Sequence, residues 1–482
     1  MENFFKSRWL LSICFLVFNF FCANATEDLI TQQITISVTK AGTLPDKIGT
    51  NKKGKITNLK LKGEINGTDI AFLRGMMTWS TSKLAYLDLL DAKIVEGGEP
   101  YYHYVYELCT KNDVIGYEMF SGCASLVSII LPQKITAIEA EAFKNCKALS
   151  SVEMSNTIKQ IGKEAFYNCT SLSSIELSDS LEKIGKAAFC CCQSLVSIDV
   201  PNRVSKLEEK TFSGCWSVTS VRLPERLTSL GDGVFRDCES LISIKLPSNI
   251  KVIPTYTFDG CKSLASIEIP EGITQIEDMA FNFCTSLKSI ELPSNVVSIG
   301  ASAFSNCSGL TSFTIPEKVK SIAAHTFSGC LSLNNFHISK GVSVISDYAF
   351  YGCNSLSTLF IESDVKTIGK RAFMDCPSLS VVYCYSENVP IAQPSTFEKC
   401  NLKEAVLYVP KGSWQDFWMA EGWGDFGNIV EFETTNINKI AANKDAKELS
   451  RYSANGQRLT VPTKGLNIVK YSDGSVRKEI VK

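Results

Sequence analysis

Residues 281–307 read FNFCTSLKSIELPSNVVSIGASAFSNC, one full copy of the pattern that organises the chain. Counting on from Cys284, apolar residues return at Leu287, Ile290, Leu292, Val296 and Ile299, and Phe304 and Cys307 begin the next copy. The segment around Ile290 and Leu292 alternates apolar and polar residues, the period of a strand with one face buried. Pro293 follows at once and ends hydrogen bonding along that strand, because proline has no N–H to donate.

Working outward, the cysteine recurs every 23 residues: Cys123, Cys146, Cys169, Cys192, Cys215, Cys238, Cys261, Cys284, Cys307, Cys330, Cys353 and Cys376, then Cys400 after 24. A phenylalanine stands three places before each, from Phe120 to Phe397. A period of this length with L-x-x-I-x-L at its centre is a leucine-rich repeat signature. One such unit cannot cover its own apolar side, so units stack and bury each Phe, Leu and Ile against its equivalents. The expected fold is an α/β-type repeat solenoid with a parallel strand face, N- and C-terminal caps and a small C-terminal β-module.

Nineteen cysteines invite a disulfide reading. Stacked equivalents lie ~4.8 Å apart with parallel side chains, whereas a disulfide needs Cβ atoms ~3.8 Å apart. The ladder cysteines therefore read as small buried hydrophobes. Cys109, Cys190 and Cys191 fall off the ladder, and their state is left open.

The ends differ from the middle. Lys6 and Arg8 precede an apolar run from Trp9 to Cys22, closed by Ala23-Asn24-Ala25. That is the order of a cleaved secretory signal peptide over 1–25. Its apolar core is short for a membrane span of ~20 residues, and Phe20-Phe21 disfavour a lipid anchor at Cys22. No membrane span is expected after signal removal. Residues 26–115 read as an N-terminal cap with irregular repeats, including a helical turn at 67–77. The repeats occupy 116–410. Residues 411–435 carry GSWQDFWMAEGWGDF, an aromatic C-terminal cap in which the alternative reading is a sugar platform. A linker at 436–448 precedes a basic β-module at 449–482. From residue 440 on, Lys and Arg number nine against four Asp and Glu.

The 49 basic and 50 acidic residues leave a net charge of −1, which argues against a nucleic-acid carrier. Only three histidines occur, with no H-E-x-x-H, G-x-S-x-G, phosphate-binding glycine loop or paired C-x-x-C. The reading is therefore no enzyme, no catalytic residue, no metal and no cofactor. A binding face is the better expectation. Five places after each cysteine, serine recurs from Ser128 to Ser312, as a flat, close-packed sheet would favour. Seven places after, the column varies: Ile130, Glu153, Glu176, Asp199, Arg222, Lys245, Glu268, Glu291, Thr314, His337, Phe360 and Tyr383. Glu153, Glu176, Asp199, Arg222, Lys245, Glu268, Glu291, His337, Phe360 and Tyr383 are the candidate ligand-binding residues. The plainer alternative is a solvated face, on which the run Glu153, Glu176, Asp199 is mildly repulsive.

The repeat F-x-x-C-x-x-L-x-x-I-x-L-P over about 116–410 resembles the leucine-rich repeats of BspA-like bacterial surface proteins. EGWGDFGNIVEF is similar to the segments that close such arrays. The tail RYSANGQRLTVPTKGLNIVKYSDGSVRKEIVK resembles a type IX secretion sorting domain. The resemblance implies a secreted or cell-surface, extracellular location and adhesion. The partner expected is a host or envelope protein or glycoprotein, bound by a monomer. The alternative from another class is a non-binding structural spacer of the cell envelope.

Overall fold

The computed structural model describes residues 29–78, 81–103, 107–362, 365–433, 448–453, 458–471 and 476–481. The leader at 1–25 with Cys22, nearly all of the linker at 436–448 and the turns at Asn455-Gly456 and Ser472-Asp473-Gly474 lie outside those residues. The chain divides into two compact units, Met1–Leu227 and Thr228–Lys482.

In the first unit, strands Ile34–Val38, Asn58–Ile65, Tyr86–Ile94, Ser128–Ile130 and Ser151–Glu153 form one parallel sheet in that order. Neighbours pair in register, Leu59 with Leu87, Leu87 with Ile129, and Ile129 with Val152. A second parallel sheet is built from two-residue strands: Val114–Ile115, Ala137–Ile138, Gln160–Ile161 and Lys183–Ile184. Most repeats thus supply one strand to each sheet, with turns between them; at residues 174–177, 289–292 and 311–316 the chain runs through the first-sheet position without strand pairing. Among the described residues, helix is confined to the caps. At the N-terminal end the helix Gly67–Arg74 begins at a capping box, with Asn66 accepting from Thr68 and Asp69 accepting from the Asn66 N–H. Asp69 is fully buried and also accepts from the Gly42 and Leu44 N–H groups. One carboxylate so ties together three segments of the cap.

In the second unit, strands Asn335–Ile338, Thr358–Ile361, Val381–Cys384, Val406–Pro410 and Asn428–Phe432 form a five-stranded parallel sheet. The prolines do more than stop a strand. The carbonyls of Pro270, Pro293 and Pro316 accept from Ile273, Val296 and Val319 N–H, closing tight turns. The strands Glu448–Ser453, Arg458–Leu459, Gly465–Tyr471 and Val476–Val481 form a separate antiparallel sheet.

The core is a ladder. In the first unit the rings of Phe120, Phe143, Phe166, Phe189 and Phe212 stack at 5.3, 5.1, 5.2 and 5.5 Å. In the second, Phe235 through Phe397 continue the same motif, with Phe258 to Phe281 at 5.3 Å and Phe281 to Phe304 at 5.2 Å. The ladder cysteines are thiols, not disulfide halves. They are also more than filler. Cys146 Sγ donates to the Phe120 carbonyl at 3.0 Å, and Cys284 Sγ to the Phe258 carbonyl at 3.2 Å, one turn back. The same carbonyl already accepts from the N–H of its own turn's cysteine. A buried carbonyl has two lone pairs to satisfy, and the thiol takes the second. Burial pushes the Cys123, Cys169, Cys307 and Cys353 thiols up to about 12.

The turn carrying Phe-x-x-Cys needs two left-handed residues per repeat. One lies five places before the cysteine, as at Glu141, Glu164 and Met279; the other lies just before it, as at Asn145, Asn168 and Phe283. Apart from glycine, only residues without a branched Cβ occupy those columns, which fits the steric cost of that conformation.

Candidate binding face

On the first sheet of each unit the apolar strand residues point inward, and the residues between them face solvent. In the first unit Glu153, Glu176, Asp199 and Arg222 are all exposed. Asp199 and Arg222 are register partners and form an ion pair. The repulsion expected at Asp199 is thus offset by the next residue of its own column. Glu153 pairs in register with Ile130. Ser151 Oγ donates to Ser128 Oγ at 2.9 Å, which links the first two members of the serine column. Strand pairing lapses at residues 174–177, although Glu176 keeps its outward position.

In the second unit Lys245 pairs in register with Glu268, their charged groups 4.0 Å apart. With Glu291 they border a shallow depression of about 540 Å³. Further along, the column turns aromatic. His337, Phe360, Tyr383 and Tyr408 are successive register partners. Their ring centroids lie 4.1, 5.0 and 4.6 Å apart, with planes inclined by 10°, 2° and 11°. Glu362 Oε1 sits 3.2 Å from His337 Nδ1. Burial raises the Tyr383 hydroxyl above its usual value, and Tyr408 adds to the effect. Stacked in register on paired strands, the four rings restrict one another's rotamers, so ordering them on binding costs little entropy.

Sequence reasoning named His337, Phe360 and Tyr383 but missed Tyr408. Cys400 follows Cys376 by 24 residues, so counting seven on from it lands on Leu407. Pairing in the sheet, rather than counting, puts Tyr408 on the face. The aromatic C-terminal segment also splits. Phe417, Trp423 and Phe426 are buried, and Trp423 Nε1 donates to the Pro390 carbonyl. Trp414 and Trp418 are exposed and stack on each other at 5.7 Å. They lie on the short helix Trp414–Met419.

Among the described residues, no three His, Cys, Asp or Glu side chains converge as a metal site would require. Among them, too, no helix is long and apolar enough to cross a membrane. Parallel strands stacked by a fixed repeat, a phenylalanine–cysteine ladder and a solvent-facing strand column define a leucine-rich-repeat solenoid protein. The chain belongs to the BspA type leucine rich repeat family, which matches residues 113–242, 205–323 and 297–411.

A leucine-rich repeat protein of Bacteroides ovatus is similar, with 28% identity and a TM-score of 0.57 over 68% of this chain and 90% of that one. A leucine rich cell surface protein of Faecalibacterium prausnitzii shares 28% identity over 58% of this chain and 84% of that one, with a TM-score of 0.43. No curated protein matches the chain.

Proposed function

We propose that the protein is an exported binding protein of the cell surface, an adhesin without enzymatic activity. It engages a host or envelope protein or glycoprotein through the solvent-facing strand column. The observation that carries this reading is the stacked ladder His337–Phe360–Tyr383–Tyr408 on the solvent-facing side of one parallel sheet. Rigid tyrosines and other aromatics are what binding hot spots are made of. The charged residues of the column, Glu153 to Arg222 in the first unit and Lys245 to Glu291 in the second, supply steering and specificity; each exposed ion pair is worth only ~0.2–1 kcal/mol. The leader read at 1–25 supports export, and the basic module at 449–482 supports surface sorting, by resemblance.

Two multiple variants test the binding face against a panel of host matrix glycoproteins. One reverses Glu153, Glu176 and Asp199 to lysine; the other changes Phe360 and Tyr383 to serine. Loss of affinity in the second, with the fold kept, supports the reading. Unchanged affinity in both sinks it.

A further inference from the structure

A second concave surface lies on the other sheet. In the first unit a groove of about 880 Å³ runs over the two-residue strands, from Tyr117 at one end to Arg226 at the other. Gly162 and Gly185 line its middle, between Glu139 and Glu208 in the same column of the repeat. Both glycines pack on the previous turn so closely that a Cβ would run into the Ala140 or Lys163 backbone. They therefore leave the groove unobstructed where the flanking repeats place glutamates.

The groove's charges are unevenly satisfied. Glu139 is engaged by Lys111 and by the Tyr117 N–H, and Glu208 by Lys206 at 3.2 Å. Lys183, Arg203 and Arg226 are exposed and make no ion pair among the described residues. Glu182 is the one lining carboxylate in the same condition. Arg203 and Arg226 stand one 23-residue repeat apart, and so do Lys183 and Lys206. The result is two short rows of cations at a rung spacing of ~4.8 Å.

We propose that this groove binds a segment of a linear acidic polysaccharide, its carboxylate or sulfate groups meeting Lys183, Arg203 and Arg226. The rung spacing decides between polymers. An extended glycan advances by close to one rung per sugar. An extended peptide places same-face side chains ~6.6 Å apart, out of step with the rungs. Tyr117, 36% exposed at one end, offers an aromatic surface to a sugar ring. This site is separate from the proposed protein-binding face, and its failure would leave that reading standing.

Titration calorimetry of the whole protein with a polygalacturonate hexamer, a heparin hexasaccharide, neutral maltohexaose and hexaglutamate tests it. At least one acidic sugar should bind, more weakly as salt rises, and both maltohexaose and hexaglutamate should bind less well. Lys183→Gln with Arg203→Gln and Arg226→Gln should weaken binding about tenfold or more. The charge-matched control Lys52→Gln with Lys55→Gln and Lys147→Gln should stay within about twofold. These side chains are exposed, so unfolding curves should match wild type; if the triple variant does not fold, Arg203→Gln alone decides by the direction of its effect. No binding of either acidic sugar, tighter binding of hexaglutamate, or equal losses in groove and control variants would overturn the proposal.

Discussion

Phe283 shows most plainly how single residues answer to the repeat. It holds φ of 57° at the position just before Cys284, where other repeats place Gly122, Asn168 or Gly260. Its ring is 47% exposed, so packing returns little for the strained backbone. Replacing it by glycine should relieve a left-handed penalty of ~1–2 kcal/mol, less what glycine loses in unfolded-chain entropy. Phe283→Gly should therefore raise the unfolding midpoint slightly; a clear drop would show that the ring packs on something. Phe-x-x-Cys was legible in the sequence because identical residues recur in it. The two left-handed columns were less so, since glycine, asparagine, glutamate, tyrosine and methionine all fill them. Their common feature is an absence, the lack of β-branched residues. The thiol hydrogen bond to the previous turn was also hidden, because spacing shows that cysteines stack but not where their protons point.

Strands and ladders come next in scale. Phe281 is fully buried between Phe258 and Phe304. Phe281→Ala should cost ~3–5 kcal/mol. Because stability in a repeat array is carried between neighbours, hydrogen exchange should speed up first in the adjoining turns. An unchanged exchange pattern and midpoint would contradict the ladder. The first sheet was readable from its alternation. The second, with strands of two residues, was marked only by the apolar pair at positions such as Val296 and Ile299. The groove over it was not legible at all. It depends on glycines in consecutive repeats, and single glycines carry no signal of that kind.

For the molecule as a whole, the buried thiols set a pH limit. Burial raises the Cys123, Cys169, Cys307 and Cys353 thiols from their ordinary value of 9.0 to about 12. Between those values the unfolded chain loses protons that the folded chain keeps. Stability is therefore full below about pH 9 and falls as pH rises, by about 1.4 kcal/mol per thiol for each pH unit. Unfolding midpoints should be flat from pH 7 to 8 and drop steeply above 9. A flat curve to pH 11 would mean that the thiols are not buried. At neutral pH the same thiols should resist alkylation until the chain unfolds. Deleting residues 449–482 should block surface display without changing ligand affinity; normal display of the shortened protein would remove the sorting role.

The most direct test of the binding face is side-chain footprinting by hydroxyl radicals, with and without a bound host glycoprotein. The molecule carries its own control. His325 and Tyr348 stack at 4.8 Å in the Phe-x-x-Cys turn column, away from the strand face. Binding through the strand face predicts that His337, Phe360, Tyr383 and Tyr408 lose reactivity while His325 and Tyr348 do not. Protection of His325 and Tyr348, with the strand-face rings still reactive in the complex, would contradict it.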